Sequence, residues 1–95
     1  MTYAVVVSED DGPEHIGRLE LERDCLRLFG GSTVRYDDLH DVYVERRSGG
    51  SSTSRPTLVL ISRKGERFRI GSLEGLGALH ELAGRVAEAR GKAAA

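Results

Sequence analysis

Between Tyr3 and Ile70 the chain is a succession of short apolar-patterned runs, each closed by turn residues, and from Ser72 to about Arg90 the spacing becomes helical. Period-two runs bury one face of a strand, whereas a three- and four-residue period buries one stripe of a helix. Many strands followed by one helix restrict the chain to a small barrel or sandwich closed by that helix. With 95 residues it forms one domain, and a chain of this size buries only about 60–65% of the surface it exposes when unfolded. One modest core is available, with little room for a deep active site.

The strand pattern is most constrained between Ile16 and Phe29. If Arg23 and Asp24 are the tip of a hairpin, Leu21 lies opposite Leu26 and Leu19 opposite Leu28, all on one face, while Glu20 lies opposite Arg27 on the other. A slip of one residue would expose the leucines and break the charge pair. A two-residue turn asks for positive φ at its tip, which suits Arg poorly. A four-residue loop closed by Leu21 and Leu26 keeps the register without that demand.

The remaining strands are expected at Tyr3 to Ser8, Thr33 to Tyr36, His40 to Arg47, Thr57 to Ser62 and Glu66 to Ile70, which makes seven. Thr57 to Ser62 is almost continuously apolar, as in a strand covered on both faces. Glu9 to His15 is an acidic loop, Gly30, Gly31 and Ser32 a turn, Asp37 to Leu39 a corner, Ser48 to Ser54 a Ser/Gly-rich loop, and Arg63 to Gly65 a hairpin loop. The helical stripe is Leu73, Leu76, Leu79, Leu82, Ala83, Val86 and Ala87, with Ser72 as N-cap, Glu74 at the positive end of the dipole and Gly91 as terminator. Gly75, Gly77 and Gly84 weaken this helix, so it must be held by packing, with its glycines expected at close approach to the sheet. The expected domain is therefore 1–91, with 92–95 a frayed tail.

Composition narrows the function classes. Hydrophobic residues at 39%, charged residues at 31% and a net charge of -1 describe a folded globular chain. The charge balance argues against nucleic acid as a partner, which calls for a basic surplus. The single Cys25 cannot close an internal disulfide, and no apolar run approaches the roughly 20 residues that cross a bilayer. A cytoplasmic protein is expected.

Catalytic and metal signatures are weak. Asp37, Asp38, His40 and Asp41 could offer ligands, but Leu39 interrupts them and the spacing matches no ligand pattern; a turn in which Asp37 or Asp38 satisfies backbone amides is the expected reading. His15, His40 and His80 are dispersed. Cys25 follows Asp24, and a neighbouring carboxylate disfavours the reactive thiolate. The Gly30 and Gly31 pair lacks the lysine and helix of a phosphate loop. No catalytic residue, metal or cofactor is expected.

Seven strands and one closing helix resemble the pleckstrin-homology-like superfold, particularly its compact bacterial members. The resemblance covers nearly the whole chain, through the Gly17 to Leu21 strand, Tyr36 to Val44 with Asp38, Leu39 and Val42, and the Phe68 to Leu82 ending. It implies a partly open antiparallel barrel of two nearly orthogonal sheets capped by the helix. It also implies a non-enzymatic module that binds phosphoinositides, peptides or proteins, and fold alone does not choose among them. Lipid-binding members carry bases in the first loop and at the start of the second strand. Here that stretch reads Glu9, Asp10, Asp11, Gly12, Pro13, Glu14 and His15, with Arg18 behind it. Arg63 and Lys64 should lie at the same end, and Arg46, Arg47 and Arg55 at the other. Acid at that mouth repels an anionic headgroup.

The expected function is therefore binding of a protein or peptide partner, or self-association as a homodimer. The expected surface is Val42, Tyr43, Val44, Leu76 and His80, where an extended segment could join a strand edge or lie beside the helix. Peripheral binding to anionic lipid through Arg18, Arg63 and Lys64 is the alternative.

Overall fold

The computed structural model describes residues 2–10, 12–28, 32–46 and 56–94. Its elements are β1 (Thr2–Glu9), β2 (His15–Leu21), β3 (Cys25–Leu28), β4 (Thr33–Arg35), a 3-10 turn (Tyr36–Asp38), β5 (Leu39–Arg46), β6 (Pro56–Ser62), β7 (Arg67–Ser72) and α1 (Leu76–Ala94). Among the described residues, seven antiparallel strands in the order β4-β3-β2-β1-β7-β6-β5 make a nearly closed barrel with one C-terminal helix. Pairing of β1 with β7, which sets Val5 opposite Ser72 and Val7 opposite Ile70, joins the two halves.

The β2–β3 hairpin has the register its leucines dictate: Leu19 opposite Leu28, Glu20 opposite Arg27 and Leu21 opposite Leu26. Leu19, Leu26 and Leu28 are buried and Leu21 half-buried. The tip turns without positive φ at Arg23 or Asp24, and the Glu22 amide donates to the Cys25 carbonyl at 2.9 Å. Tyr36, just past the end of the neighbouring strand β4, fastens this tip, its hydroxyl donating to the Glu22 carbonyl at 2.8 Å and its amide to that of Asp24 at 3.2 Å.

The core consists of inward residues from β1 to β7, among them Val5, Leu19, Leu26, Leu58, Leu60 and Ile70, closed by Leu79, Leu82 and Val86 of α1. Each such side chain taken out of water contributes about 1.5–3 kcal/mol. β6 is covered on both sides as its composition predicts: Leu58 and Leu60 face the core, and Val59, on the opposite face, is also fully buried.

The helix departs from expectation at both ends. β7 runs to Ser72, the Leu73 amide donates to the Ala4 carbonyl, and the first i to i-4 bond is from Leu79 to the Gly75 carbonyl. Gly75, at φ 106°, supplies the left-handed residue that turns strand into helix. Ser72 therefore caps no helix, its hydroxyl instead accepting the Glu74 amide at 3.1 Å, and Leu73 and Leu76 are exposed rather than part of the buried stripe. The stripe moves on to Ala89 and Arg90, with Ala87 exposed. Gly91 does not end the helix, which continues to Ala94, so 92–94 is helical rather than a frayed tail. Gly77 and Gly84 are exposed, and a Cβ at either would meet nothing within 4 Å; they are not points of close approach.

Two loops are tied by named groups. The Ser62 hydroxyl, in a buried residue, accepts the amides of Lys64 and Glu66 at 3.2 and 3.1 Å, organising the β6–β7 turn around Gly65 at φ 89°. Asp10, at φ 48°, donates its amide to the Arg67 carbonyl at 2.8 Å and accepts the Arg67 amide at 2.9 Å. These two bonds hold a conformation that Asp tolerates better than most residues. The expected turn at Gly30 and Gly31 and the Ser48 to Ser54 loop lie outside the described residues.

Candidate interaction surface

β4 and β5 end the sheet, and β5 is the longer of the two. It begins irregularly, with a register shift between Leu39 and Asp41, and there the Asp41 carboxylate accepts the Val42 amide at 2.9 Å. Asp41 thus serves a backbone amide at this corner. Asp37, one of the two aspartates expected in that role with Asp38, binds the Arg35 guanidinium through both oxygens at 3.1 Å. Its carboxyl is held below the ordinary range by Arg35, which hydrogen-bonds it. Arg90 of α1 closes the first part of the β5 edge, donating to the carbonyls of Leu39 and His40. That contact spans some fifty residues of sequence, and no local pattern announces it.

The expected partner residues divide between two faces. Val42 and Val44, opposite Leu60 and Leu58, are half-buried against the core. Tyr43, opposite Val59, stands on the outer face and is 38% exposed. Leu76 and His80 are exposed one turn apart at the start of α1. An extended segment laid along β5 would meet Val42 and Val44 on one side and Tyr43 on the other, because side chains alternate across a strand.

The anionic-ligand set does not converge. Arg18 lies on the outer face of β2, opposite Ala4. Arg63 is bound to the 3-10 turn, its amide donating to the Asp38 carbonyl at 2.9 Å and its Nε to that of Asp37 at 3.0 Å. Lys64 is exposed in the β6–β7 loop. At this end the Glu9 carboxyl is pushed up by burial, by a hydrogen bond with Glu66 and by the charges of Glu66 and Asp10. The acidity of the first loop is reinforced by Glu66, which the linear sequence does not associate with it. Arg46, Arg47 and Arg55 lie outside the described side chains.

An open groove of about 790 Å³ lies elsewhere, between the β2–β3 tip, the 3-10 turn and the last turns of α1. Its charges are largely matched: Arg35 with Asp37, Lys92 with Glu88 at 3.3 Å, Arg85 with Glu81 at 3.2 Å, and Glu22 with Arg27 at 2.8 Å. Cys25 is half-buried near it, and its thiol pKa is raised by burial and by Glu22, whose carboxylate accepts from Sγ at 3.6 Å. That opposes a nucleophilic role. Among the described residues no group of three metal-ligating side chains occurs, and no helix is long and apolar enough to cross a membrane.

The chain matches no protein-family model and no curated protein.

Proposed function

We propose that the chain is a non-enzymatic, pleckstrin-homology-like interaction module that takes an extended segment of a protein partner along the free side of β5, next to α1. The observation that carries this reading is the division of the β5 edge. Arg90 occupies the carbonyls of Leu39 and His40 and Asp41 the amide of Val42, while beyond Val42 β5 pairs only with β6 among the described residues. An open strand edge supplies main-chain hydrogen bonds to an incoming strand, and half-buried Val42 and Val44 supply apolar contact for its alternate side chains. Scattered bases and an acidic first loop favour this reading over anionic lipid.

Binders selected from a random-peptide display library on the intact chain test the proposal. Bound peptide should slow amide hydrogen exchange in residues 42–46 and the first turns of α1. Protection confined to residues 63–66 would overturn it. So would salt-sensitive binding to phosphatidylserine vesicles lost in Arg63→Ala/Lys64→Ala, which would establish the lipid reading instead.

A further inference from the structure

We infer that the outer face of β1, β2 and β7 is a self-docking surface whose occupant is a second copy of this chain. Ile16 is the most exposed large apolar residue among the described ones, at 73%. It lies opposite Val6 of β1, and Val6 lies opposite Gly71 of β7. The three outward positions form one row across adjacent strands: a projecting side chain, a half-buried one and none. A Cβ built at Gly71 meets nothing within 4 Å, so this position has no side chain and open space above it, room for a projecting side chain of another copy. With strands about 4.8 Å apart, the Ile16 knob and the Gly71 gap are about 10 Å from each other with Val6 midway.

That row is self-complementary. A two-fold axis along β1 through Val6 carries Ile16 of one copy over Gly71 of the other, and the reverse, as a closed isologous interface requires. The next row agrees in both shape and charge. Arg18 lies opposite Ala4, and on the other side of Ala4 stand half-exposed Leu73, whose amide donates to the Ala4 carbonyl, and Glu74, whose carboxylate accepts the Ala4 amide. The same axis sets the aliphatic stem of Arg18 on the partner's Leu73 and its guanidinium beside the partner's Glu74. A barrel's outer face is convex, so contact is limited to these three strands, fewer than a standard interface of roughly 800 Å² per partner draws on. The dimer is therefore weak and concentration-dependent. It uses none of the β5 edge and stands or falls independently of peptide binding there.

Sedimentation equilibrium of the intact chain over a wide concentration range tests this. Wild type should show a reversible monomer–dimer equilibrium. Ile16→Glu, which buries a charge at the knob, should weaken it about tenfold or more. Gly71→Val puts a side chain into the open space at this strand position and should weaken it comparably while the monomer stays folded by circular dichroism. Arg18→Glu should weaken association, and the exchange Arg18→Glu/Glu74→Arg should restore it to within about threefold. A chain monomeric at every concentration overturns the inference, as does a dimer indifferent to both Ile16→Glu and Gly71→Val. A dimer that survives these changes but is lost when β5 is altered would place self-association at the edge instead.

Discussion

On β2, Leu19 and Ile16 are close in hydropathy and only three residues apart, yet Leu19 is fully buried and Ile16 is 73% exposed. The inner face of the sheet is apolar apart from the buried Ser62 at the end of β6 and is closed by α1, whereas the outer face mixes Ile16, Arg18, Glu20, Ala4 and Val6. Residue type does not assign a side chain to a face. Strand parity does, and the parity of β2 is fixed by pairing Leu19 with Leu28. What the outer face then does with an apolar residue is open to function, because folding places no demand on it.

The sharpest way to break this contrast is truncation on each side. Leu19→Ala should cost about 2–5 kcal/mol by emptying a fully buried site, whereas Ile16→Ala should change monomer stability by no more than about 0.5 kcal/mol. Urea unfolding at low protein concentration measures both. A loss above 1 kcal/mol at Ile16, about twice that bound, would show that the outer face is packed within the monomer.

Tyr36 tests a polar group that the inner side has absorbed. Its hydroxyl donates to the Glu22 carbonyl, and Tyr36→Phe should cost about 1 kcal/mol. Burial first, then the charges of Cys25, Glu22 and Asp24, raise its pKa above the ordinary phenol value. A raised folded-state pKa means that its contribution is complete below the unfolded value and is lost as pH climbs through the raised one. Wild type should therefore lose stability on the alkaline side more steeply than Tyr36→Phe. Parallel slopes above about pH 10 would remove Tyr36 from the account.

On the solvent side of α1, Gly84 is exposed with open space where a Cβ would stand. Gly84→Ala should raise stability by up to about 1 kcal/mol, read as a higher thermal midpoint. The same change at Gly75, at φ 106°, should be destabilising, because alanine resists the left-handed region. Equal effects at the two sites would mean that the strand-to-helix turn lies elsewhere.

The parts of the fold legible in the sequence are those set by neighbours in the chain. The hairpin register follows from four leucines that share one face only in this pairing, with Glu20 opposite Arg27 as expected, although the ion pair that Arg27 makes is with Glu22 at 2.8 Å. Leu79, Leu82 and Val86 follow from helical spacing. Leu73 and Leu76 mislead because they extend that spacing backwards, while pairing of β7 with β1 claims the chain through Ser72 and Gly75 supplies the turn. The grip of Arg90 on Leu39 and His40, the clip of Asp10 on Arg67 and the approach of Glu66 to Glu9 join residues about 50 or more apart. No periodicity encodes such meetings. The candidate surface is less legible still: alternation in the sequence puts Val42 and Val44 on one face and Tyr43 on the other, but only the pairing with Leu60, Val59 and Leu58 shows that the valine face is the one packed on the core.

The smallest expected effect lies at the rim where the two faces meet. Glu9 ends β1, and its carboxyl pKa is raised by burial and by Glu66 and Asp10. Folding thus favours the protonated form, so whatever Glu9 contributes is complete below the ordinary carboxylate range and is lost as pH rises through the raised value. At neutral pH the ionised group is a small liability, reduced further by solvent screening because the side chain is exposed. Glu9→Gln should accordingly raise the urea midpoint near pH 7, with a gain that shrinks in high salt and vanishes near about pH 3.5, where both chains are neutral at this position. A gain independent of pH would assign the effect to packing, and no gain in low salt would mean that Glu66 and Asp10 do not crowd Glu9 in solution.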